Sequence, residues 1–94
     1  MTKDVNIWMK VIEKIGFRFV DEQVGRNGDQ NILHYKSNHF SCKIWFNRYS
    51  DTIILVRIED ININRPTLNE KDIYIKFKKY FREIQLQNIL YERI

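Results

Sequence analysis

From Phe40 to Asn47 the chain alternates in strict order: Phe40, Cys42, Ile44 and Phe46 are apolar, while Ser41, Lys43 and Asn47 are polar and Trp45 is the one exception. A period of two over eight residues belongs to a strand with one buried and one open face. Short turn-forming stretches flank it, Ser37-Asn38 before and Tyr49-Ser50-Asp51 after. Strands joined by links this short pair antiparallel. The pattern therefore predicts further strands over residues 17–24, 31–36 and 52–59, the first two joined through the hairpin-forming Gly25-Arg26-Asn27-Gly28-Asp29.

These turn lengths set which side chains share a face. Leu33, Tyr35, Phe40, Cys42, Ile44, Phe46, Ile54, Val56 and Ile58 fall on one side. His34, Lys36, Ser41, Lys43, Trp45, Leu55 and Arg57 fall on the other, with Trp45 beside Leu55 and Lys43 across from Arg57.

Helical periodicity brackets the strands. Val5, Trp8, Met9, Val11, Ile12 and Ile15 make one apolar side, with Thr2 or Asp4 as cap and Gly16 as stop. The connector 60–66 ends at Pro66, and Thr67-Leu68-Asn69-Glu70 reads as a capping box for a long last helix. Its core stripe is Ile73, Phe77, Tyr80, Phe81, Ile84 and Tyr91. The expected fold is α+β: a four-stranded antiparallel meander with N- and C-terminal helices packed on one face, in the order α-β-β-β-β-α, as a single domain over residues 1–94.

At 94 residues and 44% hydrophobic, the chain closes one core. No apolar run approaches the roughly 20 residues that cross a bilayer, and the polar start Met1-Thr2-Lys3-Asp4 does not read as a secretory leader, so no membrane partner is expected. A single cysteine, Cys42, suits a reducing cytoplasm. Alanine is absent while Ile, Asn and Lys abound, which points to AT-rich codons and a bacterial host cell, its phages or mobile elements. The net charge of +4 is unevenly spread. Residues 31–50 and 76–82 carry cations and no carboxylate, so polyanionic partners come into view.

Two surfaces look wrong for plain solvent. The first is the open sheet face, where Trp45 stands among Lys43, Arg57, His34 and Lys36, an arrangement suited to stacking bases and holding phosphates or to anchoring on an acidic protein. The blander reading has Trp45 and Leu55 covering each other. The second is the back of the last helix, where Ile75, Lys78, Lys79, Arg82, Leu86, Ile89 and Arg93 oppose the core stripe. It suits a partner helix, a homodimer seam or a groove on a target. The blander readings are a helix that ends near Gln85-Gln87 and a solvated face with a Lys79–Glu83 pair.

Chemistry that makes or breaks bonds finds no footing. His34, His39 and Cys42 are close in sequence, yet Cys42 points inward and His34 outward, and no fourth zinc ligand recurs. Asp51, Glu59 and Asp60 lack the lysine of a metal-dependent nuclease strand, because Glu59 is followed by Asp60-Ile61. Gly25 and Gly28 sit in a hairpin, not before a phosphate-binding helix. The expectation is a binding protein, not an enzyme, without cofactor or metal.

In element order and basic surface the chain resembles small RNA-binding folds, namely double-stranded-RNA-binding domains and the Alu-RNA-binding subunits of the signal recognition particle. It departs from the former at the last helix, which opens Thr67-Leu68-Asn69-Glu70-Lys71 without their Gly-x-Gly loop or Lys-Lys-x-Ala-Lys signature. In size, composition and lack of motifs it also resembles small phage- and mobile-element-encoded inhibitors, anti-CRISPR proteins among them. That resemblance implies an inhibitor or regulator docking on a host nucleic-acid-processing protein or ribonucleoprotein. Direct RNA or DNA binding through the sheet face, or a homodimeric structural or accessory phage protein, are the alternatives.

Overall fold

The computed structural model describes residues 3–26, 28–38, 40–50, 52–64 and 69–92, with the side chains of residues 3, 64, 88 and 90–92 left aside. Its elements are α1 (Lys3–Ile15), β1 (Arg18–Val24), β2 (Gln30–Ser37), β3 (Phe40–Asn47), β4 (Ile53–Ile58), β5 (Ile61–Asn64) and α2 (Glu70–Glu92). The strands form one antiparallel sheet in the order β1-β2-β3-β4-β5. The fold is α+β as expected, with five strands where four were expected.

The additional strand lies in the expected connector. Glu59 adopts φ 53° and turns the chain within two residues, so that Ile61 pairs with Ile58 and Ile63 with Val56. Ile61 and Ile63 pack against the core, while Asn62 pairs with Arg57. Ile-Asn-Ile-Asn is itself a period-two pattern, disguised by asparagines that usually mark turns.

α1 ends in a Schellman arrangement: the Gly16 N–H donates to the Glu13 carbonyl and the Phe17 N–H to the Ile12 carbonyl, both at 3.1 Å. Gly16 sits at φ 121°, a backbone region that side chains rarely enter. The reversal drops Phe17 into the core, where its ring meets Phe77 edge-on at 5.5 Å and Phe81 at 4.9 Å. Phe77 also meets Trp8 at 6.4 Å, and Phe81 meets Phe40 of β3 at 5.3 Å. These contacts clamp both helices to the same side of the sheet. Val5, Trp8, Val11, Ile12, Ile73, Phe77, Phe81 and Ile84 thus share one core with Leu33, Tyr35, Cys42, Ile44, Phe46, Val56 and Ile58.

Details differ from the expected pattern in four places. β2 and β3 pair up to Ser37 and Phe40, one residue beyond the expected Ser37-Asn38 turn, and Asn38 takes φ 53°. Face parity is unaffected, because the pairing moves by a whole pleat. In β4 a bulge lets Phe46 pair with Ile53 while Trp45 pairs with Leu55, so Ile53 is buried (8% exposed) and Ile54, expected inside, is 39% exposed. At the start of α2, Asn69 is the observed cap: its Oδ1 accepts from the Asp72 N–H at 3.2 Å and its carbonyl from Ile73 at 2.9 Å. Thr67 and Leu68 of the expected capping box, like Thr2, lie outside the described residues. In the core stripe of α2 Tyr80 is only half-buried, and the Tyr91 side chain is not described.

Two neighbouring positions on α2 should therefore behave very differently. Phe77→Ala should cost about 3–5 kcal/mol in urea unfolding, while Ile75→Ala, two residues away, should stay within about 0.5 kcal/mol.

Candidate binding surfaces

On the open side of the sheet, antiparallel pairing lays side chains out in cross-strand rows. One row runs Gln23–Ile32–Trp45–Leu55, the next Asp21–His34–Lys43–Arg57–Asn62, and a third joins Arg18, Lys36 and Ser41. The expected neighbours Trp45–Leu55 and Lys43–Arg57 are both present. Trp45, Lys43, Arg57, His34 and Lys36 thus come together on one surface.

Each has a distinct environment. The Arg57 guanidinium lies over the Trp45 ring at 5.2 Å, and its Nε donates to Asn62 Oδ1 at 2.7 Å. A cation held over an indole and tethered at its edge is oriented before anything binds. Half-buried His34 is 3.2 Å from Ser41 Oγ through Nε2 and 3.7 Å from Asp21 Oδ1 through Nδ1. Glu59, at the β4–β5 turn, uses Oε1 to accept the Ser41 N–H at 3.0 Å. Among the described residues, Lys36, Lys43, Arg57 and Arg18 form no ion pair. Ile32, Arg18 and Asn62 belong to this surface and were not singled out in the sequence. Parity from Leu33 would have placed Ile32 there, whereas Asn62 required β5 to be seen.

The outer face of α2 is the second surface. At 100° per residue, Lys78, Lys79, Arg82, Leu86 and Ile89 all fall within about 60° of Ile75 around the helix axis. Ile75, Leu86 and Ile89 are 65%, 60% and 48% exposed. The helix runs without interruption through Gln85–Gln87, and no Lys79–Glu83 ion pair forms among the described residues. Lys78 folds back, donating to the Tyr74 hydroxyl at 3.4 Å and lying 5.2 Å from its ring, on which Lys14 of α1 also sits at 5.3 Å. Where α2 passes β3, a groove of about 450 Å³ opens between Phe40, Arg82, Gln85, Leu86 and Ile89. Arg93 lies outside the described residues.

The nucleophile and metal candidates separate in space. Cys42 is fully buried beneath the helices, with its thiol pKa raised by desolvation, and His34 stands on the opposite face. His39 and Asp51 lie outside the described residues, among which no cluster of three potential metal ligands forms. Tyr35, paired with Cys42, is equally buried; its hydroxyl has no hydrogen-bond partner among the described residues, and burial, then the Glu13 carboxylate and Cys42, raise its pKa. Among the described residues no helix is long and apolar enough to cross a membrane. Comparison with protein families, with curated proteins and with solved structures finds no match for the chain.

The raised acidities of Cys42 and Tyr35 have a definite sign. Both groups stay neutral in the folded chain after the unfolded chain has begun to ionise, at about pH 8.5 for a thiol and about pH 10 for a phenol. Stability is thus fully present below about pH 8.5 and falls as pH rises past it, since the unfolded state gives up protons that the folded state keeps. Urea midpoints should begin to drop near about pH 8.5 and drop more steeply above about pH 10, and Cys42→Ala should remove the part of the decline that begins first.

Proposed function

We propose that the protein is a small non-catalytic binding protein, an inhibitor or regulator that docks on a nucleic-acid-processing host protein or ribonucleoprotein through the outer face of α2. The observation that carries this reading is the exposure of Ile75, Leu86 and Ile89 in line with Lys78, Lys79 and Arg82, a cationic stripe with Asp72 and Glu83 only along its margin. Large aliphatic side chains left about half or more in water on a helix already packed by its other side mark a contact surface. The groove beside Phe40 gives that stripe depth, so a protruding apolar side chain of a partner has a place to enter.

The charges select the partner. A second copy laid antiparallel on the same stripe would set Arg82 against its own image across the two-fold axis, with Lys78 and Lys79 close by. That is like charge on like charge at the centre of the contact. An acidic surface with an apolar patch satisfies both halves of the stripe, so a foreign acidic partner is favoured over a homodimer. The buried, protonated thiol of Cys42 and the attachment of His34 to Ser41 and Asp21 support a role without covalent chemistry.

The experiment is affinity capture from bacterial lysate with the wild-type chain and with Ile75→Asp/Leu86→Asp, followed by titration of the captured protein. Loss of two apolar anchors should weaken binding about 30-fold or more, while Arg57→Ala should retain it. Light scattering of the free chain should give a monomer. A dimer broken by the same double substitution, or equal capture by both chains, would turn the reading down.

A further inference from the structure

The open face of the sheet carries an arrangement that docking through α2 leaves unused. Arg18 pairs directly with Lys36, and Lys43 with Arg57. Like charges placed opposite one another across strands oppose folding, and here they stand twice on one surface. Of the nearby carboxylates, Glu59 accepts the Ser41 N–H at 3.0 Å, and Asp21 stands beside His34 at 3.7 Å and pairs with none of these cations. A polyanion laid across these rows removes the repulsion that the fold itself leaves in place.

The neighbouring row says which polyanion. Ile32, Trp45 and Leu55 form an apolar strip directly beside the charges. Arg57 lies over the indole at 5.2 Å and is tied to Asn62 at 2.7 Å, so the guanidinium is held beside the ring on the open face. A fixed, planar cation is a surface on which a base stacks, whereas a carboxylate would use only its N–H edge. Entering the groove of a duplex calls for a projecting helix or a two-stranded ribbon, whereas this surface is the broad side of a five-stranded sheet. We infer that the open face of the sheet binds single-stranded nucleic acid, with a base on the Arg57 guanidinium above Trp45 and phosphates on Lys43, Lys36 and Arg18. The site is independent of the α2 stripe, which lies on the other side of the molecule.

The test is fluorescence anisotropy with fluorescein-labelled oligo(U) and oligo(dT) of about 12 nucleotides, within the site size of sheet-platform binders. With four cations engaged and a slope of about −0.7 per phosphate, affinity should fall about 50-fold between roughly 50 and 200 mM salt. Lys43→Ala should reduce that slope by about 0.7. Arg57→Lys keeps the charge and removes the plane, so it should leave the slope in place and weaken oligonucleotide binding by about 5- to 150-fold. Inorganic polyphosphate, which has no bases, should compete equally for the wild type and for Arg57→Lys. Ile75→Asp/Leu86→Asp should leave oligonucleotide binding unchanged, which separates this site from the docking stripe. Thermal melts confirm that each variant is folded. The inference is overturned by no binding at about 50 mM salt, by wild-type affinity in Arg57→Lys, by a duplex that binds as tightly as a single strand, or by polyglutamate that displaces the oligonucleotide as well as unlabelled oligonucleotide does.

Discussion

The alternation of β3 is the constraint on which the rest of the molecule depends. β3 is the central strand of the sheet, and its four inward side chains, Phe40, Cys42, Ile44 and Phe46, leave no choice about which face the helices cover. A slip of one residue would send them to solvent and bring Lys43 and Trp45 under the helices, burying a charge without a partner. Because that alternative is so unfavourable, the register of β2 and β4 on either side is fixed as well. The cations of the open face are held in apposition by the same constraint. Their mutual repulsion is small beside the cost of exposing the inner row.

The second layer is held by rings. Phe17, Phe77, Phe81, Phe40 and Trp8 form a chain of edge-on and tilted contacts running from α1 through α2 to the start of β3. Such contacts set orientation as well as burying area. Turning α2 about its axis would break them, so the side it presents to solvent is as firmly determined as the side it buries. Ile75, Leu86 and Ile89 are exposed because Phe77, Phe81 and Ile84 are committed elsewhere.

What could be read in advance follows the strength of the local signals. Where a short turn met a clean alternation, as between β2 and β3, the face of each residue was legible although the pairing lay one pleat away, and between β3 and β4 the neighbours Lys43–Arg57 and Trp45–Leu55 followed from the three-residue turn. The bulge at Ile54 was not, since Ile53-Ile54-Leu55-Val56 is apolar throughout and offers no polar residue to show which one steps out. β5 was hidden by its asparagines and by Pro66 just beyond it. With β5 went Asn62, and so the tether that orients Arg57. The surfaces were thus found through their charged and apolar residues, while the polar residues that position them emerged only from tertiary pairing.

The two margins of the sheet have a consequence of their own. A bare outer strand invites a foreign strand to hydrogen-bond alongside it, the route by which many domains capture extended peptides and by which others aggregate. Here β1 is interrupted by a bulge at Val20 and carries Arg18, Asp21 and Glu22, and β5 is only four residues long. Neither offers the long, flat, uncharged rim that strand addition requires. A partner that met this domain would therefore have to be read by side chains on its broad surfaces rather than by its backbone, and those side chains can change while the scaffold keeps its shape.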